Sequence, residues 1–370
     1  MRIDQFLPSF ARYDAIGSHV RSIQKFLREK GFVSDIFTEL YRDDTKDFTA
    51  PVSHYAKHAH PDNIIVYHHS IASNIPMTLM STPGFVVTVY HNVTPFTFFD
   101  NKRDRLVRNE CLLGILQNEI MKLRTNYFWH VSKFNSQDFE DSGIESVVLP
   151  LLRDFETLAR EPADLKITSA LKNDKKTILF VGRLAPHKCQ HTMIGLLKTV
   201  RDIYDKKVRL ILVGGGSEEY VNLLLSLSKE LGMVATHDLV NNEADVCIMP
   251  NLTDAQLASV YRLADLFLCL SDHEGFCVPL VEAMHFGLPI IAHPSSAIAE
   301  TCGTGGSLID KKDTVRLVKS IVSALDNDAA KAELKERSHA RARDFEFSVL
   351  KSHFDKALDN TLKLKDKSRK

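Results

Sequence analysis

Glu274 and Glu282 stand eight positions apart, separated by Gly275-Phe276-Cys277-Val278-Pro279-Leu280-Val281. Just upstream, Ala264 to Ser271 reads as a buried strand that ends in a polar turn. Strand, tight loop, helix is the geometry in which unpaired backbone N–H groups face an anion. Such a loop can hold a phosphate, and the two glutamates can accept hydroxyl hydrogen bonds beside it. Phosphate plus hydroxyls is the chemistry of a sugar nucleotide.

Other residues could serve the same chemistry. Gly182-Arg183-Leu184-Ala185-Pro186-His187-Lys188 follows a β-branched run ending at Val181. Arg183 and Lys188 put two cations at that strand's end, which suits a diphosphate; a basic surface loop is the plain alternative. Gly214-Gly215-Gly216-Ser217 also leads from strand to helix, but Glu219 holds the third position of a G-x-G-x-x-G pattern. A ligand contact and a tight turn account for it equally. Gly17 opens the first helix, either beside a ligand or in a cap made by Ser18. Histidines gather at strand ends: His68, His69, His91 and His130. Zinc needs at least three converging ligands, and no carboxylate or cysteine joins these at ligand spacing. A single histidine on substrate is preferred, with His91 the candidate and His68 and His130 read as satisfied turn residues. Asp326-Asn327-Asp328 is a D-x-D motif on a helix end, a solvated terminus rather than a metal–diphosphate site. The basic run Lys102 to Arg108 starts a long helix whose expected apolar stripe is Cys111, Leu112, Ile115 and Leu116; a solvated face is preferred over an anionic lipid contact.

The elements that must position these residues follow from pattern. In the second half, strands at 177–181, 208–213, 245–249, 266–270 and 288–292 alternate with helices at 192–203, 218–231, 255–263, 278–286 and 315–325. Alternation of this kind means βαβ units and a parallel sheet. The first half repeats it with strands at 2–7, 33–37, 64–67, 86–90, 127–131 and 146–149 and helices at 18–30, 102–123 and 135–141. The fold class is α/β, two doubly wound Rossmann-like domains facing a central cleft. Ligands of such sheets bind beyond the carboxyl ends of the strands.

Composition narrows the function classes. The 370 residues exceed one ordinary core, so two domains are expected. Lys+Arg and Asp+Glu balance at 47 each, so no net field points to nucleic acid. The six cysteines form no C-x-x-C pair; four sit in apolar or strand-like contexts and read as core residues, and the expected compartment is reducing, the cytoplasm. The first ten residues lack an apolar signal-peptide core, and no apolar run approaches the roughly 20 residues that span a bilayer. The basic tail Lys363 to Lys370 reads as a solvated terminus.

Taken together these motifs resemble glycosyltransferase family 4, retaining enzymes of the two-Rossmann-domain (GT-B) type. The E-x(7)-E element Glu274…Glu282 and Phe180-Val181-Gly182-Arg183-Leu184…Lys188 carry the likeness. In the first half, Asp14-Ala15-Ile16-Gly17, Tyr67-His68-His69-Ser70-Ile71, Tyr90-His91-Asn92-Val93-Thr94-Pro95 and Val148-Leu149-Pro150-Leu151-Leu152 are similar to a bacterial subset used in surface-polysaccharide assembly. The resemblance implies an acceptor-side domain at 1–165, a nucleotide-sugar domain at 166–342, and a C-terminal helix and basic tail at 343–370 packing back on the first. It implies that Arg183 and Lys188 neutralise the donor diphosphate, Glu282 takes the ribose hydroxyls, and Glu274 takes the sugar hydroxyls. Gly182, Gly275, Phe276, Cys277 and Val278 line the sugar and phosphates, and Met249 meets the base. His91 reaches the sugar, and Gly17 lies by the diphosphate. Cys277 departs from the glycine common in such motifs.

The activity implied is hexosyl transfer, mannose-type preferred, from a GDP- or UDP-linked sugar to a lipid-linked saccharide of O-antigen or capsule type. No metal or other cofactor is expected, and the expected place is the cytoplasm or the inner face of its membrane. A sugar-nucleotide epimerase, a phosphorylase, or a non-catalytic sugar-nucleotide binder are the alternatives; no motif singles out the pyridoxal phosphate lysine that a phosphorylase of this type needs.

Overall fold

The computed structural model describes residues 1–11, 14–204, 207–239, 241 and 243–369. Lys370, the last residue of the basic tail, lies outside them. The chain divides into two compact units, one of Met1–Arg153 with Phe347–Lys370 and one of Asp154–Glu346.

The first unit holds β1 (Ile3–Ser9), β2 (Ile36–Leu40), β3 (Ala50–Pro51), β4 (Ile64–His69), β5 (Phe85–Tyr90), β6 (Tyr127–His130) and β7 (Ser146–Val148). They form one sheet in the order β3-β2-β1-β4-β5-β6-β7, every pair parallel. The second unit holds β8 (Lys176–Val181), β9 (Val208–Val213), β10 (Ala235–Thr236), β11 (Val246–Met249), β12 (Leu266–Cys269), β13 (Ile290–Ala292) and β14 (Ser307–Leu308). Their order is β10-β11-β9-β8-β12-β13-β14, again parallel throughout. Strands covered by helices on both faces read as unbroken apolar runs, and β4, β5 and β9 are buried at every residue. Arg209, inside β9, is tolerated because it donates to Thr177 Oγ1 at 2.9 Å and to the Leu171 carbonyl at 2.9 Å.

Each sheet has a switch point, where the chain leaves one strand in opposite directions. In the first unit it lies between β1 and β4, in the second between β8 and β12. Open α/β sheets bind ligands there.

The sequence places the boundaries at 165/166 and 342/343; the units divide at 153/154 and 346/347. Residues 154–165 go with the second unit because Asp164 N–H donates to Ser259 Oγ at 2.8 Å and Arg262 donates to the Ala159 carbonyl at 2.7 Å. The final helix, Phe347–Lys367, goes with the first. Its Phe354 meets Trp129 and Phe26, and Lys30 pairs with Asp355 at 3.0 Å. Each such buried apolar side chain contributes roughly 1.5–3 kcal/mol.

Three local expectations change. The first helix is Ala15–Glu29, capped by Asp14, whose carboxylate accepts the Gly17 N–H at 2.5 Å; Ser18 is not the cap. The basic run does not start its helix at Lys102. Asp100 accepts the N–H groups of Lys102 and Arg103, holding them in a turn, and the helix is Arg105–Arg124. Its buried positions are Cys111, Gly114, Asn118 and Met121, so Leu116 stands exposed rather than in the core. The reason is that the helix approaches through its glycine and a buried amide: Gly114 packs on the Ala72 backbone and Asn118 bonds His69.

Candidate functional site

In the second unit the loops after β8 and β12 flank the switch point. The chain leaves β8 through Gly182, whose N–H donates to the Val213 carbonyl at 2.8 Å. Arg183 is exposed on this loop. Pro186–Lys188 forms a single 3-10 turn, and Cys189 in the left-handed region directs the chain into the helix Gln190–Ile203. Lys188 is thereby turned toward the β12 loop: its Nζ pairs with Glu274 Oε1 at 2.7 Å and donates to the His273 carbonyl at 2.8 Å. The first glutamate of the E-x(7)-E element and the lysine of the β8 loop are thus one ion pair.

After β12 the chain runs Leu270-Ser271-Asp272-His273-Glu274 before the helix Val278–His285. Glu274 N–H donates to Ser296 Oγ at 2.8 Å, and the Phe276 carbonyl accepts from Thr301 Oγ1 at 2.6 Å, so the loop is pinned at two points. Cys277 precedes the helix at φ +72°, ψ +67°, and Pro279 sits in the first turn, where a missing N–H costs nothing. Apolar residues bury the helix almost all round. Glu282 is the exception, 4% exposed, with Oε2 accepting from Tyr261 OH at 2.8 Å. Met249 ends β11 half-buried.

Charge at this site is arranged by burial. His187 and His273 lie buried beside the cations. Burial pushes His187 down to about 3, with Lys188, His273 and Arg183 adding to the effect, and burial with Lys188 pushes His273 down to about 4. Both rings are therefore neutral near pH 7. Asp272 bonds Lys311 and Cys189; burial raises its pKa, but the bonds from those two outweigh that and hold it below the usual range. The Cys277 thiol is pushed well up, by its hydrogen bond with Cys269 and by burial, so it is not a thiolate.

The glycine turn at 214–216 has a packing cause. A Cβ on Gly214 would overlap the Gly182 carbonyl oxygen, and one on Gly216 would lie 2.6 Å from Leu184. The turn packs the exit of β9 on the exit of β8. The Asp326-Asn327-Asp328 motif is likewise a helix junction: Asp326 accepts from Tyr204 OH and Asn327 caps the next helix.

The first unit has its own cluster at its switch point. His68 on β4 and His91 after β5 are joined, Nδ1 to Nε2, at 2.9 Å. His19, from the first helix, joins them, its ring 5.7 Å from His68 and 5.6 Å from His91. His69 points elsewhere and is satisfied by Tyr67 and Asn118. His130 lies on β6 with Nδ1 unbonded, against the expectation of a satisfied turn residue. Gly17 is where the Ala11 carbonyl passes so closely that a Cβ would overlap it. Sequence pattern misses His19, His187, His273, Tyr261, Asp272 and Lys311. Each is an ordinary core or loop residue until the fold brings it beside a partner.

Both units have the Rossmann-like form, and the whole is the GT-B class of fold. Residues 163–344 match the family of Glycosyl transferases group 1, so the likeness read from the E-x(7)-E element stands and the second unit is a group 1 glycosyl transferase domain. Among similar sequences is the phosphatidyl-myo-inositol mannosyltransferase of Mycobacterium leprae, 28% identical over 48% of this chain and 44% of that protein. The serotype-specific mannosyltransferase WbdA of Escherichia coli is 25% identical over 76% of this chain and 34% of that protein. The chain spans less than half the length of these curated relatives. HepE from Anabaena, solved with UDP and glucose, superposes with a TM-score of 0.72 over 97% of this chain and 100% of that one, at 16% identity. Sucrose-phosphate synthase from Thermosynechococcus elongatus gives 0.73 over 98% and 99%, at 14% identity.

Proposed function

We propose that this chain is a retaining glycosyltransferase that moves a hexose from a nucleoside-diphosphate sugar to a growing, lipid-linked cell-surface saccharide of O-antigen or capsule type. The observation that carries it is the Lys188–Glu274 pair, with Arg183 exposed on the same loop as the lysine, at the β8/β12 switch point of a unit that matches the group 1 glycosyl transferases.

Breaking the bond from the anomeric carbon to the diphosphate builds charge on both fragments. Arg183 and Lys188 oppose the leaving-group charge, assisted by the N-terminus of the helix beginning at Val278. These cations take the part a metal would otherwise play, so the reaction is assigned as metal-independent. Glu274 holds Lys188 in place and accepts sugar hydroxyls; Glu282, oriented by Tyr261, accepts the ribose hydroxyls. Gly182, Gly275, Phe276 and Cys277 line the phosphates and sugar, and Met249 meets the base. In the first unit His91 and Gly17 are the candidate substrate contacts. Retention follows from attack on the face the diphosphate leaves, with a donor phosphate oxygen taking the acceptor's proton. The donor preferred is GDP-linked mannose, in line with the two mannosyltransferase relatives; the UDP and glucose in HepE make a UDP-sugar the second arm of the test.

The test is a panel of GDP- and UDP-sugars with a lipid-linked saccharide, reading nucleoside diphosphate release and product anomer. Release without added metal and an unchanged anomeric configuration are expected. Arg183→Ala should slow release on the order of 100-fold. An unchanged rate in that variant, an inverted product, or loss of release on chelation would each overturn the corresponding part.

A further inference from the structure

We propose that Gln5 and His68 are positioning residues that lock His91 into one tautomer, leaving its Nδ1 as a bare acceptor for a substrate hydroxyl. The role of that acceptor rests on the glycosyltransferase reading; the tautomer does not.

The relay begins at a group that can only accept. The Val20 carbonyl takes a hydrogen bond from Gln5 Nε2 at 2.9 Å, which fixes which end of the Gln5 amide is oxygen. Gln5 Oε1 lies 3.0 Å from His68 Nε2 and can only accept, so His68 carries its proton on Nε2. His68 is fully buried, and burial, then His91 and His19, push its pKa well below the ordinary value, so it is neutral and its Nδ1 is a lone pair. His91 Nε2, 2.9 Å away, must then donate. The ring centroids are 5.2 Å apart with planes only 23° apart, the arrangement of two rings meeting edge to edge along that bond. His91 is neutral for the same reason, burial first and then His19 and His69. Its Nδ1 is left unprotonated, and no described residue bonds it. His68 is 0% exposed and His91 9%, so His91 is the end of the relay that a ligand can reach.

The same bookkeeping of protons argues against a cation in this cluster, although ring nitrogens of His19, His68 and His91 lie within 4.8 Å of one another. His19 Nδ1 accepts the Leu152 N–H at 2.8 Å, so its proton sits on Nε2, which has no acceptor among the described residues. As bonded, the lone pair of His68 Nδ1 is spent on His91 and that of His19 Nδ1 on Leu152, while His91 Nε2 and His19 Nε2 carry protons, which leaves His91 Nδ1 as the one open lone pair of the three rings among the described residues.

The protein labelled with ¹⁵N-histidine, without substrate, should show His91 with Nδ1 unprotonated and Nε2 protonated, the signal assigned by its loss in His91→Asn. His68→Phe removes the acceptor; His91 should become a tautomer mixture, and turnover should fall about 10- to 100-fold. His68→Gln, whose amide oxygen can accept, should restore both. Gln5→Leu is the second variant, expected to shift His68 and His91 together. A protonated His91 Nδ1 in the wild type overturns the relay, as does a His68→Phe protein with unaltered tautomer and turnover. Should the wild type release no nucleoside diphosphate from any donor, the functional reading fails and the nitrogen signals still decide the relay.

Discussion

Cys277 carries the clearest message of any single residue. It stands where similar motifs have glycine, and its backbone lies at φ +72°, ψ +67°, the left-handed region that glycine occupies freely. A side chain there costs roughly 1–2 kcal/mol. Cys277 is nonetheless buried, with its thiol bonded to Cys269, so the strain is offset by packing. The two contributions can be separated. Cys277→Ala keeps the strain and loses the packing; Cys277→Gly loses both. The glycine variant should therefore be the more stable of the two by about 1 kcal/mol, the reverse of the usual order for helix-start alanine and glycine. Urea unfolding of both variants measures it, and an alanine variant equal to or above the glycine one would mean the backbone there is not strained. Near the same loop, the Lys188–Glu274 pair shows why residue roles read singly are incomplete. The sequence assigns the lysine to a diphosphate and the glutamate to a sugar; the geometry makes them one unit at 2.7 Å.

Elements are legible where a parallel strand is buried on both faces, because an apolar run bounded by turns fits little else. Val208–Val213 matches residue for residue, and the helix after it differs by one position at its end. The two-residue strands β3, β10 and β14 leave no pattern, since so short a run has no period. The placement of the candidate residues is legible for the same reason as the strands: once β8 and β12 are placed, Arg183, Lys188, Glu274 and Glu282 follow them. What stays hidden depends on contacts distant in sequence. Tyr261 meets Glu282 and Lys311 meets Asp272 only through sheet order, which no local pattern encodes. The glycine turn at 214–216 is the intermediate case. Ligand and packing readings are equal in sequence, and the close pass of Gly214 against the Gly182 carbonyl supplies a packing cause. Gly214→Ala should therefore destabilise the second unit by about 3 kcal/mol or more, combining a backbone overlap with φ +142°. Gly215→Ala, with nothing within 4 Å, is the control and should stay within about 1 kcal/mol of wild type. A Gly214→Ala loss as small as that expected of the control would show that the turn tolerates a side chain and return the ligand reading to parity.

At the scale of the whole molecule, the distribution of buried histidines sets how each unit responds to acid. In the first unit burial pushes His19 down to about 3 and His69 and His130 down to about 4, and pushes His68 and His91 well below the ordinary value. In the second, His187 is held near 3 and His273 near 4. The ordinary value is 6.5 in each case. Between that and the folded value the unfolded chain binds a proton the folded chain refuses, so stability falls as pH falls. The contribution is fully present above about pH 6.5 and is lost on the way down, at about 1.4 kcal/mol per pH unit for each such group. Of these strongly shifted histidines the first unit holds five and the second two, so acid should destabilise the first more steeply. Thermal unfolding followed between pH 7 and pH 5 should show two transitions moving apart. The one reported by Trp129, the chain's single tryptophan and a first-unit core residue, should fall faster. The histidines of the second unit lie beside Lys188, so if that cation takes the donor diphosphate as proposed, adding the donor should moderate the unit's smaller loss by mass action. Parallel shifts of both transitions would mean that the buried rings of the first unit take up protons without unfolding, and would contradict the burial that holds them neutral.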